Sequence, residues 1–110
     1  MNKLPNNLFR NGFNNEASGP VNIDSVNIVR KFIGDNFEKA NTINTKIGSC
    51  ALKSIFERNQ PVTGYVSDGD FIAAMILEGY SYKMENKKSS SAFFNLSKKS
   101  VKKFYSEDGK

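Results

Sequence analysis

The spacing of apolar residues changes once along this chain, and that change limits the folds open to it. From Val26 to Leu77 apolar residues recur mostly at intervals of three and four, while Tyr80, Tyr82 and Met84 alternate with polar neighbours. The first spacing buries one face of a helix, the second one face of a strand. A chain of 110 residues with this order is expected to form one small domain in which a helical cluster is followed by a β-hairpin.

The first helix is expected from Ser25 to Phe37, capped by Asp24 or Ser25, with Val26, Val29, Phe32, Ile33 and Phe37 as its buried stripe. A second runs from Ser49 to Arg58. Ser49 is its cap, Leu52, Ile55 and Phe56 face inward, and Asn59-Gln60-Pro61 ends it. Residues 38–47 between them receive no element. Val62–Val66 is short and β-prone. Ser67-Asp68-Gly69-Asp70 then forms an S-x-x-D capping signature ahead of the apolar run Phe71–Leu77, and Gly79 is the expected left-handed stop. Asp68 and Asp70 are expected to be exposed at the start of this third helix, complementing its dipole. Gly69, Ala73 and Ala74 leave room for another helix to come close, so the third helix is expected to be buried or to meet a second subunit.

Tyr80, Tyr82 and Met84 alternate as one strand, and Ala92, Phe94 and Leu96 as its partner. The polar loop between them contains Lys87 and Lys88. Ser97 caps a last helix, Lys98–Tyr105, with Val101, Phe104 and Tyr105 inward and Lys98, Lys99, Lys102 and Lys103 outward. The expected fold is mainly α with a small β-hairpin (α+β). Its order of helix, helix, possible strand, helix, hairpin, helix is that of a winged helix-turn-helix, with Lys87 and Lys88 at the wing tip. Residues 1–21, rich in Asn, Gly and Pro, show neither period. They are expected to form a flexible or partner-docking arm, with Phe9 and Phe13 available to dock on the body or on a second subunit. Residues 22–110 form the single folded domain.

Charge is polarised along the chain. From Asn86 to Lys110 there are seven lysines and two acids, a balance of +5 that equals the formal charge of the whole chain. A basic end on a neutral body is the electrostatic footprint of a phosphate-backbone binder. The chain has no histidine and one cysteine, Cys50. That excludes an intrachain disulfide, His/Cys zinc sites and histidine-based acid–base chemistry. With no base to activate it, Cys50 reads as a small buried residue. The longest apolar run, Phe71–Leu77, is far below the roughly 20 residues of a membrane span, and Met1–Arg10 lacks the apolar segment of a secretory signal. The expected location is the cytoplasm of a bacterium or of a phage-infected cell.

The stretch Gly48-Ser49-x-x-Leu52-Lys53, then Gly64-Tyr65-Val66-Ser67-Asp68-Gly69-Asp70-Phe71-Ile72-Ala73-Ala74, then Gly79-Tyr80, then Phe94-Asn95-Leu96-Ser97 resembles a small domain of phage homing endonucleases and of phage-satellite repressors. The resemblance spans residues 48–97, about half of the chain. It implies a DNA-binding module and, in a chain with no room for a separate nuclease domain, a stand-alone repressor.

The expected DNA contacts are therefore Lys87 and Lys88 on the loop, Lys98, Lys99, Lys102 and Lys103 on the last helix, and Lys46, Ser49 and Lys53 around the start of the second helix. The second helix is favoured over the acidic third as the one that reads bases. Asp70 with Glu85-Asn86-Lys87 echoes the D…E-x-K pattern of metal-dependent nucleases, but Glu85 and Lys87 fall at a strand end and in a loop, where a polar turn is the simpler reading. Tyr80, Tyr82, Phe93 and Phe94 are expected to be core rather than a base-stacking platform. The leading expectation is a sequence-specific double-stranded DNA binder, a homodimeric transcriptional repressor of phage or mobile-element origin. It would have no enzymatic activity, cofactor, membrane segment or small-molecule substrate. The alternative is a protein-binding counter-defence inhibitor whose basic face meets an acidic protein surface.

Overall fold

A computed structural model describes residues 4–59, 66–86 and 89–106 of the chain. The expected strand at Val62–Val66 and the loop lysines Lys87 and Lys88 thus fall, apart from Val66, outside the described residues. The chain is a mixed α+β fold. A two-stranded hairpin, β1 (Leu8–Phe9) and β2 (Gly12–Phe13), and a 3-10 turn at Glu16–Ser18 precede α1 (Ile23–Asn36). Then come β3 (Lys39–Gly48), α2 (Ser49–Asn59), α3 (Asp68–Leu77), β4 (Tyr82–Met84), β5 (Ala92–Leu96) and α4 (Lys98–Ser106). The second sheet is antiparallel with strand order β3-β5-β4.

The expected helices form where their apolar stripes lie. Val26, Val29, Phe32 and Ile33 of α1 are buried against α3. The α1 cap is Asn22 rather than Asp24 or Ser25: its side chain accepts a hydrogen bond from the Ser25 N–H at 3.1 Å. Phe32 sits at the centre of the aromatic packing, meeting Phe37 and Phe56 edge-on and Phe104 at a tilt. Gly79 ends α3 at φ +94°. The Tyr80 and Gly79 N–H groups return to Met75 and Ile76 carbonyls at 3.1 and 2.9 Å, a complete Schellman closure.

The third helix is enclosed rather than exposed at its acidic start. Every residue from Gly69 to Ile76 is buried. Asp70, expected at the surface, is fully buried, and its Oδ1 accepts from the Asn22 N–H at 2.8 Å. The side chain that was expected to serve its own helix start instead ties α3 to the start of α1. Ser67 does cap α3, accepting from the Asp70 N–H at 3.3 Å.

What encloses this end is the N-terminal segment. Leu8 and Phe13 are buried in the same core as α1 and α3. The Gly69 N–H donates to the Arg10 carbonyl at 2.8 Å, and the Phe13 N–H to the Ser90 carbonyl at 3.1 Å. The hairpin therefore docks on its own body. Gly69 makes this possible, because a Cβ there would collide with the Phe9 and Arg10 backbone carbonyls.

β3 carries no strand signature of its own. Its residues alternate poorly between buried and exposed, and only Ile47 is buried. Pairing with β5 makes it a strand, because its β-branched residues Thr42, Ile43, Thr45 and Ile47 lack the alternation that would have marked it beforehand.

Two outcomes follow from this packing. Gly69→Ala pushes a methyl into backbone that cannot swing aside, so we expect a loss of about 1–3 kcal/mol in urea unfolding. Tyr80 is buried, and burial, then Glu78, then Glu38, push its phenol up to about 12. Above pH 10 the unfolded chain ionises this group and the folded chain does not, so stability falls from about pH 10 to 12. Tyr80→Phe should flatten that alkaline loss, read as the difference in urea midpoint between pH 9 and pH 11.5.

Candidate nucleic-acid interface

The candidate interface is built on α4, whose start is fastened from both sides. The Ser97 N–H donates to the Glu38 carbonyl at 2.7 Å, and the Glu38 N–H donates to Ser100 Oγ at 3.1 Å. Ser97 Oγ accepts from the Ser100 N–H at 3.4 Å, a long cap bond. Val101 and Phe104 are buried, three residues apart on one stripe. This anchoring turns the four lysines outward as two pairs. Lys98 and Lys102 face β3. Lys103 turns towards the end of α1, where its ammonium reaches Asn36 Oδ1 at 3.3 Å and lies 5.1 Å from the Phe104 ring. Lys99 is exposed.

β3 brings a further lysine to the same face because it does not run straight. Lys39 pairs with Leu96, Asn44 with Phe94 and Gly48 with Phe93. Between the first two pairs β3 advances five residues against two in β5, and between the next two it advances four against one. The excess residues bow out of the sheet as bulges. The bowed backbone is held by Asn44, whose Oδ1 accepts from the Lys46 N–H at 3.0 Å. Between the bow and α4 lies a groove. One hollow of about 210 Å³ is bounded by Asn44, Lys46, Ile47, Lys98, Val101 and Lys102. A second of about 340 Å³ shares Asn44, Lys46 and Lys98, and extends past Ile43 and Thr42 to Ala40.

The groove thus gathers three of the expected contacts, Lys46, Lys98 and Lys102. Among the described residues no acidic side chain pairs with Lys46, Lys98 or Lys99. Ammonium groups without nearby counter-charges raise a positive potential. Asn44 and Ile47 are the site residues that sequence reasoning missed. The signal for them was weak, since β-branched Thr42, Ile43, Thr45 and Ile47 lie in a segment without clean alternation.

Two expected contacts are placed elsewhere. Ser49 is buried, and its hydroxyl accepts from the Ala92 N–H at 3.2 Å, fixing the start of α2 to β5. Its surface is not available to a ligand. Lys53 keeps only 15% of its side chain exposed and pairs with Glu57 at 3.1 Å and Asp68 at 3.7 Å, joining α2 to the start of α3. Cys50, expected to be buried, is exposed because α2 turns it away from the Leu52, Ile55 and Phe56 stripe.

The nuclease-like pattern does not assemble either. Asp70 is enclosed at α3, while Glu85 is exposed beyond β4, and among the described residues no cluster of three His, Cys, Asp or Glu side chains could hold a metal. Of the aromatics, Tyr80 and Phe94 are core as expected, Phe93 is half-buried, and Tyr82, expected in the core, is exposed and stacks on Phe13 with ring centroids 5.3 Å apart. No helix among the described residues is long and apolar enough to cross a membrane. No family model, curated protein or solved structure matches this chain.

Uncompensated lysines repel one another, so removing one should stabilise the fold. Lys46→Glu places a carboxylate opposite Lys98 and should raise the melting temperature by about 2–4 °C in low salt, an effect that fades at 0.5 M salt or above. Thermal melts at two salt concentrations read this out.

Proposed function

We propose that this chain is a small non-enzymatic DNA-binding protein that meets the phosphate backbone of duplex DNA with the face formed by α4 and β3. Its role in this reading is transcriptional repression of the phage or mobile-element kind. The observation that carries it is the convergence of Lys46 from one element with Lys98 and Lys102 from another, at a site where Lys46 and Lys98 have no carboxylate partner among the described residues. Lysines on two separately anchored elements suit spaced phosphates better than a loose tail does. The α+β architecture is compatible with a winged helix-turn-helix, although β3 lies between the first two helices and not between the second and third, where the sequence suggested a strand.

The burial of α3 shapes the proposal. A helix with no exposed side from Gly69 to Ile76 has nothing to insert into a major groove. Base readout in this reading falls to α2, whose first turns expose Cys50, Ala51 and Ser54. Two copies on a palindromic site would supply the affinity that one small module lacks.

Fluorescence anisotropy with a labelled duplex across a salt series tests the reading. Log affinity should fall with log salt at about 0.9 per phosphate contacted. Lys98→Glu or Lys46→Glu should weaken every sequence about equally and flatten that slope. Lys53→Ala should lower stability through the lost Glu57 and Asp68 pairs while leaving the slope unchanged. Absence of duplex binding at 25 mM salt would overturn the proposal.

A further inference from the structure

The phosphate reading uses the rim of the groove and leaves its floor unexplained. Beneath Lys46 and Lys98 the hollows are lined by Ile43, Ile47 and Val101. A duplex backbone presents charge and sugar edges at its surface and has no apolar side chains to fill such a floor. The occupant that satisfies both parts carries carboxylates and apolar groups in alternation. A chain in extended conformation does this, because its successive side chains point to opposite sides. The two hollows lie side by side along β3 and share Asn44, Lys46 and Lys98, so they can accept side chains two residues apart.

The strand order points the same way. Among the described residues β3 is an edge strand, with β5 on one side only, and in its bowed segment the Asn95 side chain of β5 takes the Ala40 carbonyl at 3.2 Å. An open edge is a template for an added strand. A second copy of this chain is a poor occupant, because it would bring the same Lys39 and Lys46 to the same edge and place like charges together. A basic or neutral segment gains nothing from Lys46 and Lys98, which pair with no acidic side chain among the described residues. Charge complementarity therefore selects an acidic partner.

We propose that the β3–α4 groove docks an extended acidic peptide segment of another protein, its carboxylates on Lys46 and Lys98 and its apolar side chains on Ile43, Ile47 and Val101. This inference does not require the DNA reading. If both hold, peptide and duplex compete for Lys46 and Lys98, and the partner acts as a release factor.

The test uses the full chain and two labelled peptides of equal charge. One alternates Asp or Glu with Leu over eight residues, and the other replaces each Leu by Ser. The leucine peptide should bind at least about tenfold more tightly, as expected for burying even one such side chain. The Ile43, Ile47 and Val101 methyl signals should shift on its addition. Thr42→Trp fills the second hollow from an exposed position, and should reduce peptide affinity about tenfold. Lys98→Glu should weaken both ligands. Equal affinity for the two peptides, or methyl shifts with duplex and none with peptide, overturns the docking proposal whether or not DNA binds. Peptide binding without duplex binding supports it and overturns the DNA reading alone.

Discussion

The enclosure of α3 is the constraint on which the rest of this structure depends. Its sides are covered by α1 and α2, and its first turn by the β1–β2 hairpin, which approaches closely because Gly69 presents no side chain. Burying Phe71, Ile72, Met75 and Ile76 together at one element supplies much of the apolar area a chain of this length can remove from water. The enclosed helix also organises its neighbours. Asp70 holds the start of α1, Glu78 takes the Arg30 guanidinium at 2.7 Å, and Asp68 takes Lys53. Its carboxylates act inward or at its ends, so the acidic character of this region does not oppose an anion at the surface.

A helix used as core cannot also be a recognition surface. The chemistry available to ligands is therefore displaced to the periphery, onto an edge strand and a short terminal helix. α4 is anchored by the buried Val101 and Phe104 and by hydrogen bonds through Ser97, Ser100 and Glu38, and β3 by β5, Ile47 and Asn44. Among the described residues that arrangement leaves Lys46 and Lys98 without acidic partners, at a cost in self-repulsion. The bulges that bow β3 away from the sheet open the hollows between them. The convergence of these lysines and the shape of the groove have the same origin.

The elements with strong local signals were legible in the sequence. The stripe Val26, Val29, Phe32 and Ile33, the Ser67 cap, the Gly79 stop and the alternation Ala92, Phe94, Leu96 each specify an element through contacts a few residues apart or through a single period. The outward lysines of α4 followed from the buried Val101 and Phe104 in the same way. Three features were not legible. β3 has too little alternation to announce itself, the hairpin at Leu8–Phe13 is too short for a period, and the polar side chains of Ser49 and Asp70 look like caps from their own neighbourhood. Their actual partners, Ala92 and Asn22, are 43 and 48 residues away.

The sequence by itself therefore determined the helices, the hairpin and the charge imbalance, because helical period, capping and net charge are local or additive properties. Only the tertiary structure decided that the N-terminal segment closes over α3, that Ser49 and Lys53 turn to structural work, and that Lys46 joins Lys98 and Lys102 around one groove. The reason is that these depend on which distant backbone groups need partners once the core has formed, and a pattern read along the chain carries no record of distance in space.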